Sequence, residues 1–174
     1  MQVLTRRFTR EDVYAMLDAG IVREDEHLEL INGELVKMPS DPLHAGTIYM
    51  LAQQLRRELA SLDVMVREEK DFWLPDTKQL YLPDIAVVRS FNHLERHPEP
   101  DDTYLIVEVA YSSLSKDITD KLPNYLAAGI KEIWIVDLKR SVILVHRQDQ
   151  TSFEVAFGVA FAPATFPELK RVWV

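Results

Sequence analysis

Two hydrophobic periods alternate along the chain. Near its start Val13, Met16 and Leu17 recur at helical spacing. Thr9 can cap that helix with Asp12 three residues on, and Gly20 supplies a stop. The pattern then changes in HLELINGELVKM. Asn32-Gly33 between two apolar-rich runs predicts a hairpin, because a two-residue type I′ turn needs positive φ at both positions. In that register Ile31 faces Glu34, Leu30 faces Leu35 and Glu29 faces Val36. Glu29, Ile31, Glu34 and Val36 therefore share one side of the hairpin. A long helix is predicted from Pro42 to Leu62, with Asp41 as cap and Pro42 in the first turn. Its apolar stripe is Ile48, Leu51, Ala52, Leu55, Leu59 and Leu62.

Strand signals follow in series at 64–74, 83–89, 104–111, 130–137 and 142–147. LKRS reads as a tight turn between the last two. The run SKDITDKLPNYLAAG reads as a helix ending at Gly129, and Pro123 places its regular part from about Asp120 onward, since proline is tolerated only in a first turn. Beyond Phe153 one more strand and an extended end are expected. The order of elements predicts an α+β (α/β) fold: one domain over residues 1–174, with a mixed β-sheet flanked by helices and preceded by an N-terminal helix and a β-hairpin.

Composition narrows the class. The 174 residues are 47% hydrophobic and 28% charged, which is ordinary for a globular domain and excludes a disordered chain. No apolar run approaches the ~18 residues of a membrane span. The start, MQVLTRRFTRED, lacks the apolar core of a secretory signal, so a cytoplasmic location is expected. With no cysteine, disulfides and thiolate metal sites are excluded. A net charge of −8 argues against a sequence-independent nucleic-acid coat, although a carboxylate-rich metal site would itself contribute negative charge.

The candidate chemistry starts from one anomaly. TYLIVEVAY reads as a buried strand, yet it carries Glu108. An isolated carboxylate in apolar surroundings is strongly unfavourable unless paired or metal-bound. Asp84 enters another apolar run, LPDIAVV, 24 residues earlier (108 − 84), and Lys121 lies 13 residues later (121 − 108) on the next helix. Taken singly, Glu108 could face solvent, Asp84 could cap a turn and Lys121 could be a solvated lysine. Taken together, two acids and a lysine at a sheet edge suit Mg²⁺-assisted phosphoryl chemistry: the carboxylates bind the ion, and the lysine orients water or stabilises the crowded phosphorus centre.

The residues INGEL, LPDIAVV and IVEVAYSSLSKDITDKLPNYLAAGIKEIWIVD resemble the Uma-type restriction endonuclease family, a branch of the PD-(D/E)XK nuclease superfamily. The resemblance runs from about Phe8 to Arg147. It implies a restriction-endonuclease-like domain with its nuclease core at about 28–147. It also implies Asp84, Glu108, Lys121 and Glu34 as catalytic residues, and a metal held by Asp84, Glu108 and Val109. The superfamily's lysine lies two residues after the second acid; here that position is Ala110, and Lys121 is the matching residue on the helix. Glu29 falls in the hairpin motif beside Glu34, and His44 matches a histidine that opens the family's long helix. The implied cofactor is Mg²⁺, or Mn²⁺ in its place; the implied substrate is DNA, cut by a homodimer. Two rivals stand beside this reading: a nuclease-like fold used for binding or assembly, and a metal-independent hydrolase with paired carboxylates.

Overall fold

The computed structural model describes residues 6–23, 25–37, 41–74, 79–92 and 94–174. Helix α1 (Arg10–Asp18) begins as the sequence predicts, with Thr9 and Asp12 forming a reciprocal capping box and Gly20 at φ +66° just past its end. Strands β1 (Leu28–Ile31) and β2 (Glu34–Lys37) pair in the expected register, Ile31 opposite Glu34 and Glu29 opposite Val36. Asn32 and Gly33 both take positive φ, 52° and 77°. A Cβ on Gly33 would meet Arg7 at 2.5 Å, so glycine serves both the turn and the close approach of the preceding segment. Helix α2 (Pro42–Glu58) is capped by Asp41, which accepts from the N–H groups of Leu43 and His44. It ends at Glu58 rather than Leu62.

The single strand expected over 64–74 is two strands in two sheets, β3 (Val64–Glu68) and β4 (Phe72–Leu74). Glu69 adopts φ 46° between them and donates its N–H to the Pro83 and Asp84 carbonyls. Five consecutive charged residues, Arg67 to Asp71, were the signal for this break. A short strand, β5 (Gln79–Tyr81), was not foreseen; it follows, and β6 (Ile85–Arg89) comes next. A 3₁₀ turn (Pro100–Asp102) then leads into β7 (Thr103–Ala110).

Past β7 the helical arm starts at Leu114, six residues before the expected Asp120. It consists of α3 (Leu114–Lys116), a π-helical turn (Asp117–Lys121) and α4 (Leu122–Ala127). Pro123 has no N–H to give the carbonyl four residues back, and the wider π turn before it absorbs that missing bond so that the arm continues. The chain finishes with β8 (Glu132–Asp137), β9 (Val142–Arg147) and β10 (Ser152–Ala156), then an extended tail.

The fold is the expected α+β one, with a mixed sheet flanked by helices; the hairpin belongs to a second, smaller sheet. The smaller has the order β2-β1-β5-β4 and the larger β10-β9-β8-β7-β6-β3. Among the described pairings, β7 with β8 is the parallel one, and the helical arm is its crossover. Strand β7 is buried on both faces. Leu105, Val107 and Val109 pack with α2 and the tail; Ile106 and Ala110 face the helical arm and the smaller sheet. Helix α1 covers the outer face of the smaller sheet through Val13, Tyr14 and Leu17 against Leu30, Trp73 and Leu80. The tail returns to the large core: Trp134 stacks with Phe161 and Trp173, and the Trp173 indole N–H donates to the Phe161 carbonyl at 3.0 Å.

The tail is thus part of the core. Trp173→Ala is expected to lower the unfolding free energy by ~3–5 kcal/mol, the usual result of emptying a buried aromatic site. Urea denaturation followed by far-UV circular dichroism measures it, and an unchanged midpoint would refute the packing role.

Candidate active site

Glu108 is buried because its partners are buried with it. On β7 it shares a face with Ile106 and Ala110 and so points at the helical arm. Its Oε1 accepts the Tyr125 hydroxyl at 2.7 Å, and its Oε2 lies 3.3 Å from the Lys121 ammonium. Lys121, only 1% exposed, also lies 2.8 Å from Glu29 Oε1 and 3.7 Å from Asp117 Oδ1. Three segments thus meet on one ammonium: β1 supplies Glu29, β7 supplies Glu108, and the π turn supplies both Asp117 and the lysine.

Asp84 precedes β6 directly. Ile85 pairs with Val107, so Asp84 stands across from Glu108 on the same side of the sheet. Its Oδ2 accepts the Val109 N–H at 2.6 Å, and the His44 Nε2 lies 3.3 Å from the same oxygen. Helix α2 delivers His44 from its first turn.

A hydrogen-bonded chain fixes the arm to the smaller sheet. Gln79 exchanges bonds with Asn32 in the hairpin turn. The Tyr81 hydroxyl donates to Gln79, and Asn124 on α4 donates to Tyr81. Burial, partly offset by the Asn124 contact, pushes the Tyr81 hydroxyl up to about 12, so it stays a neutral donor.

The electrostatics are unbalanced. Glu29, Asp84, Glu108 and Asp117 are all buried, and one buried lysine faces them. Burial raises the pKa of Glu108 well above its ordinary value; Lys121 pulls it down, and the acids Asp84, Asp117 and Glu29 add to the rise. Burial raises Asp117 as well, against Lys121 and the Ser113 hydroxyl. Lys121 is raised: desolvation opposes its charge, but Glu108, Glu29 and Asp117 outweigh it. Glu29 Oε2 and Asp117 Oδ1 are buried without a hydrogen-bond partner. A cavity of ≈ 660 Å³ opens over Asp84, His44, Glu108, Asp117 and Lys121. Among the described residues acids outnumber lysines on its wall by eight to three.

That surplus of buried negative charge fits a divalent cation. Among the described residues no three acidic or imidazole groups surround one point closely enough to enclose an ion. Mg²⁺, however, usually takes one or two carboxylates and keeps several waters. Asp84 and Glu108 are two carboxylates on one side of the sheet and at one cavity.

The sequence-derived residues separate clearly. Asp84, Glu108 and Lys121 share one neighbourhood, and the lysine does reach Glu108 from the helix. Ala110, where the shorter spacing would put a lysine, is fully buried against Tyr125 and its neighbours. Glu34 is not brought to the cluster: its side chain is 73% exposed at the hairpin end and faces Arg7 at 3.4 Å. Its face-mate Glu29 is the buried one, because β1 is covered by β5 and the arm. Val109 carries its side chain into the α2 core and offers the site only its main chain, whose N–H goes to Asp84. Asp117, read from sequence as a helix-start residue, and Tyr125, read as a core aromatic, belong to the cluster. Their spacing was the available signal: Asp117, Lys121 and Tyr125 recur every four residues, one face of a helix that begins earlier than Asp120.

The Uma2 family, described as "Putative restriction endonuclease", matches residues 10–171. No curated protein matches the chain. Among solved structures, the crystal structure of a putative nuclease belonging to DUF820 from Anabaena variabilis ATCC 29413 superposes with a TM-score of 0.70 at 15% identity, over 95% of each chain. That likeness is one of fold.

Two outcomes are expected of the cluster itself. Lys121→Met leaves three buried carboxylates without their cation and should destabilise the fold by ~3–5 kcal/mol, read from urea midpoints. Because the folded-state pKa of Glu108 is raised, its stabilising contribution is complete below its ordinary 4.5 and is lost as pH rises through the folded value. In chelator-containing buffer Glu108→Gln should therefore lose less stability than the parent as pH rises above the ordinary carboxylate range. Parallel stability curves would contradict this.

Proposed function

The chain belongs to the Uma2 putative restriction endonuclease family, and from that premise we propose that it is a divalent-cation-dependent endonuclease that hydrolyses DNA phosphodiester bonds. The observation that carries the reading is the pair of buried acids, Asp84 and Glu108, at the floor of one cavity with a buried lysine against them. Asp84 and Glu108 would hold Mg²⁺ or Mn²⁺, which supplies Lewis acidity toward the phosphoryl group when bound. In the reaction water attacks phosphorus, one P–O ester bond breaks, and a phosphomonoester and a free hydroxyl leave.

The chain's own groups have distinct parts. Lys121 keeps its proton, so it serves as a donor and not as a base. It steadies Glu108 Oε2 and sets positive charge in the wall where negative charge builds on the phosphoryl oxygens. Tyr125 holds the other oxygen of Glu108. The Val109 N–H orients Asp84. Glu29 positions Lys121 while accepting the Leu82 N–H at 2.8 Å. A duplex substrate suits a second copy of the chain acting on the opposite strand, and the proposed setting is the cytoplasm.

One observation favours a second reading, a nuclease-like fold that binds or assembles without cutting. The acidic cavity wall repels phosphates unless cations screen it. Calorimetry with Mg²⁺ and Mn²⁺ separates the two: saturable binding lost in Asp84→Asn supports the enzyme, and no binding supports the module.

For the enzyme, Asp84→Asn is expected to cut plasmid DNA at least about a hundredfold more slowly than the parent. Chelation should stop the parent, and added Mg²⁺ or Mn²⁺ should restore it. Equal rates in the two proteins, scored by conversion of supercoiled plasmid on gels, would remove Asp84 from the mechanism.

A further inference from the structure

We infer that Tyr111 is a base-stacking residue at the mouth of the cavity, so that the DNA strand it accepts is unpaired where it passes the acids. The inference rests on the endonuclease reading above and names its substrate class. The first support is position. Strands β7 and β8 run parallel and end side by side, with Ala110 paired to Asp137. Ligands of open α/β sheets bind outside such carboxyl ends. The residue that follows β7 is Tyr111, 44% exposed and on the wall of the same cavity as Asp84 and Glu108. It lies three residues beyond Glu108, about 10 Å of extended chain. That is the reach of a neighbouring nucleotide and not of the phosphate over the acids.

The second support is that the ring is held ready. The Ala110 carbonyl before it accepts the Leu138 N–H at 3.0 Å. After it, the Ser113 carbonyl accepts the Lys116 and Asp117 N–H groups, and the Ser113 hydroxyl donates to Asp117. The turn after β8 is fixed in a similar way, by the Asp137 carboxylate accepting the N–H groups of Lys139 and Arg140. It sets the Lys139 ammonium 5.0 Å from the centre of the Tyr111 ring. An exposed aromatic with a cation beside it suits a single strand: the ring takes a base and the cation a phosphate.

The third support is charge. Asp25, Glu26, Asp41 and Glu69 line the cavity from the segment before β1, the cap of α2 and the corner before β4. The stretch from Tyr111 to Lys116 lines it with an aromatic ring, hydroxyls and an ammonium, and carries no acid. A polyanion therefore meets least repulsion along this stretch. A base inside a duplex is stacked above and below and offers a side chain only its edge, so a tyrosine face has to meet a base that is already unpaired.

Fluorescence anisotropy on the full chain tests the assignment, with Asp84→Asn as background in Mg²⁺ buffer so that no strand is cut. A single-stranded thymidine oligomer is expected to bind at least about tenfold more tightly than a hairpin duplex of equal length. Adding Tyr111→Ala should weaken the oligomer roughly 10–100-fold and the duplex much less, while Tyr111→Phe keeps the affinity. Lys116→Gln should lower the salt slope by about 0.7. An oligomer carrying 5-iodouracil should photocrosslink at Tyr111, located by mass spectrometry, which reads the contact in the unsubstituted ring even if Tyr111→Ala fails to fold. Equal affinity for oligomer and duplex, unchanged by Tyr111→Ala and with no crosslink at Tyr111, overturns the stacking role, and plasmid cutting by the parent would then leave the endonuclease reading standing. A parent that neither binds the oligomer nor cuts plasmid overturns both.

Discussion

The fold is organised around a charge that has to be neutralised. Lys121 is removed from water, and an isolated buried ammonium would be untenable. Its carboxylate partners come from the smaller sheet, from the central strand of the larger sheet and from its own helical turn. The cluster therefore ties together three segments that are distant in sequence. It also explains why the smaller sheet is there: β1 contributes Glu29, and the chain from Asn32 through Gln79, Tyr81 and Asn124 holds the arm in register above β7. The ion cluster does not by itself stabilise the fold greatly, since desolvation offsets much of the attraction.

Topology places the reactive groups. A parallel pair needs a crossover, and β7 with β8 has the helical arm. A crossover lies across one face of the sheet, so residues on its inner side meet residues on that face of β7. Lys121 can reach Glu108 for this reason, although 13 residues separate them in sequence. The π turn before Pro123 sets which side chains of the arm face inward.

Much of this was legible in the sequence, and the failures have physical causes. The hairpin register followed from Asn32-Gly33 alone, and the caps of the short first helix and the long second one followed from Thr9 and Asp41. A glutamate inside an apolar strand announced Glu108. The choice between Glu29 and Glu34 was not legible: they share a face, and only the pairing of Leu30 with Leu80 decides which end of the hairpin is covered. That pairing involves β5, three residues long, too short to leave a periodic signal. The arm's start was misplaced because Pro123 reads as a helix limit, and a π turn has no sequence signature of its own. The break at Glu69 was visible as a run of charge but was overridden by the apolar residues on either side. His44 was legible only through the family resemblance at the start of the long helix; its approach to Asp84 at 3.3 Å is what the structure adds.

From Leu105 onward strand β7 belongs to two cores at once, odd-numbered residues to one and even-numbered residues to the other. Between Leu105 and Ala110 the buried Glu108 carboxylate is thus the one polar tooth in a zipper that is otherwise hydrocarbon on both sides. Sliding that zipper by a single notch would turn the acid into the oily layer under α2. The placement of Glu108 and the packing of both cores therefore hang on one strand register.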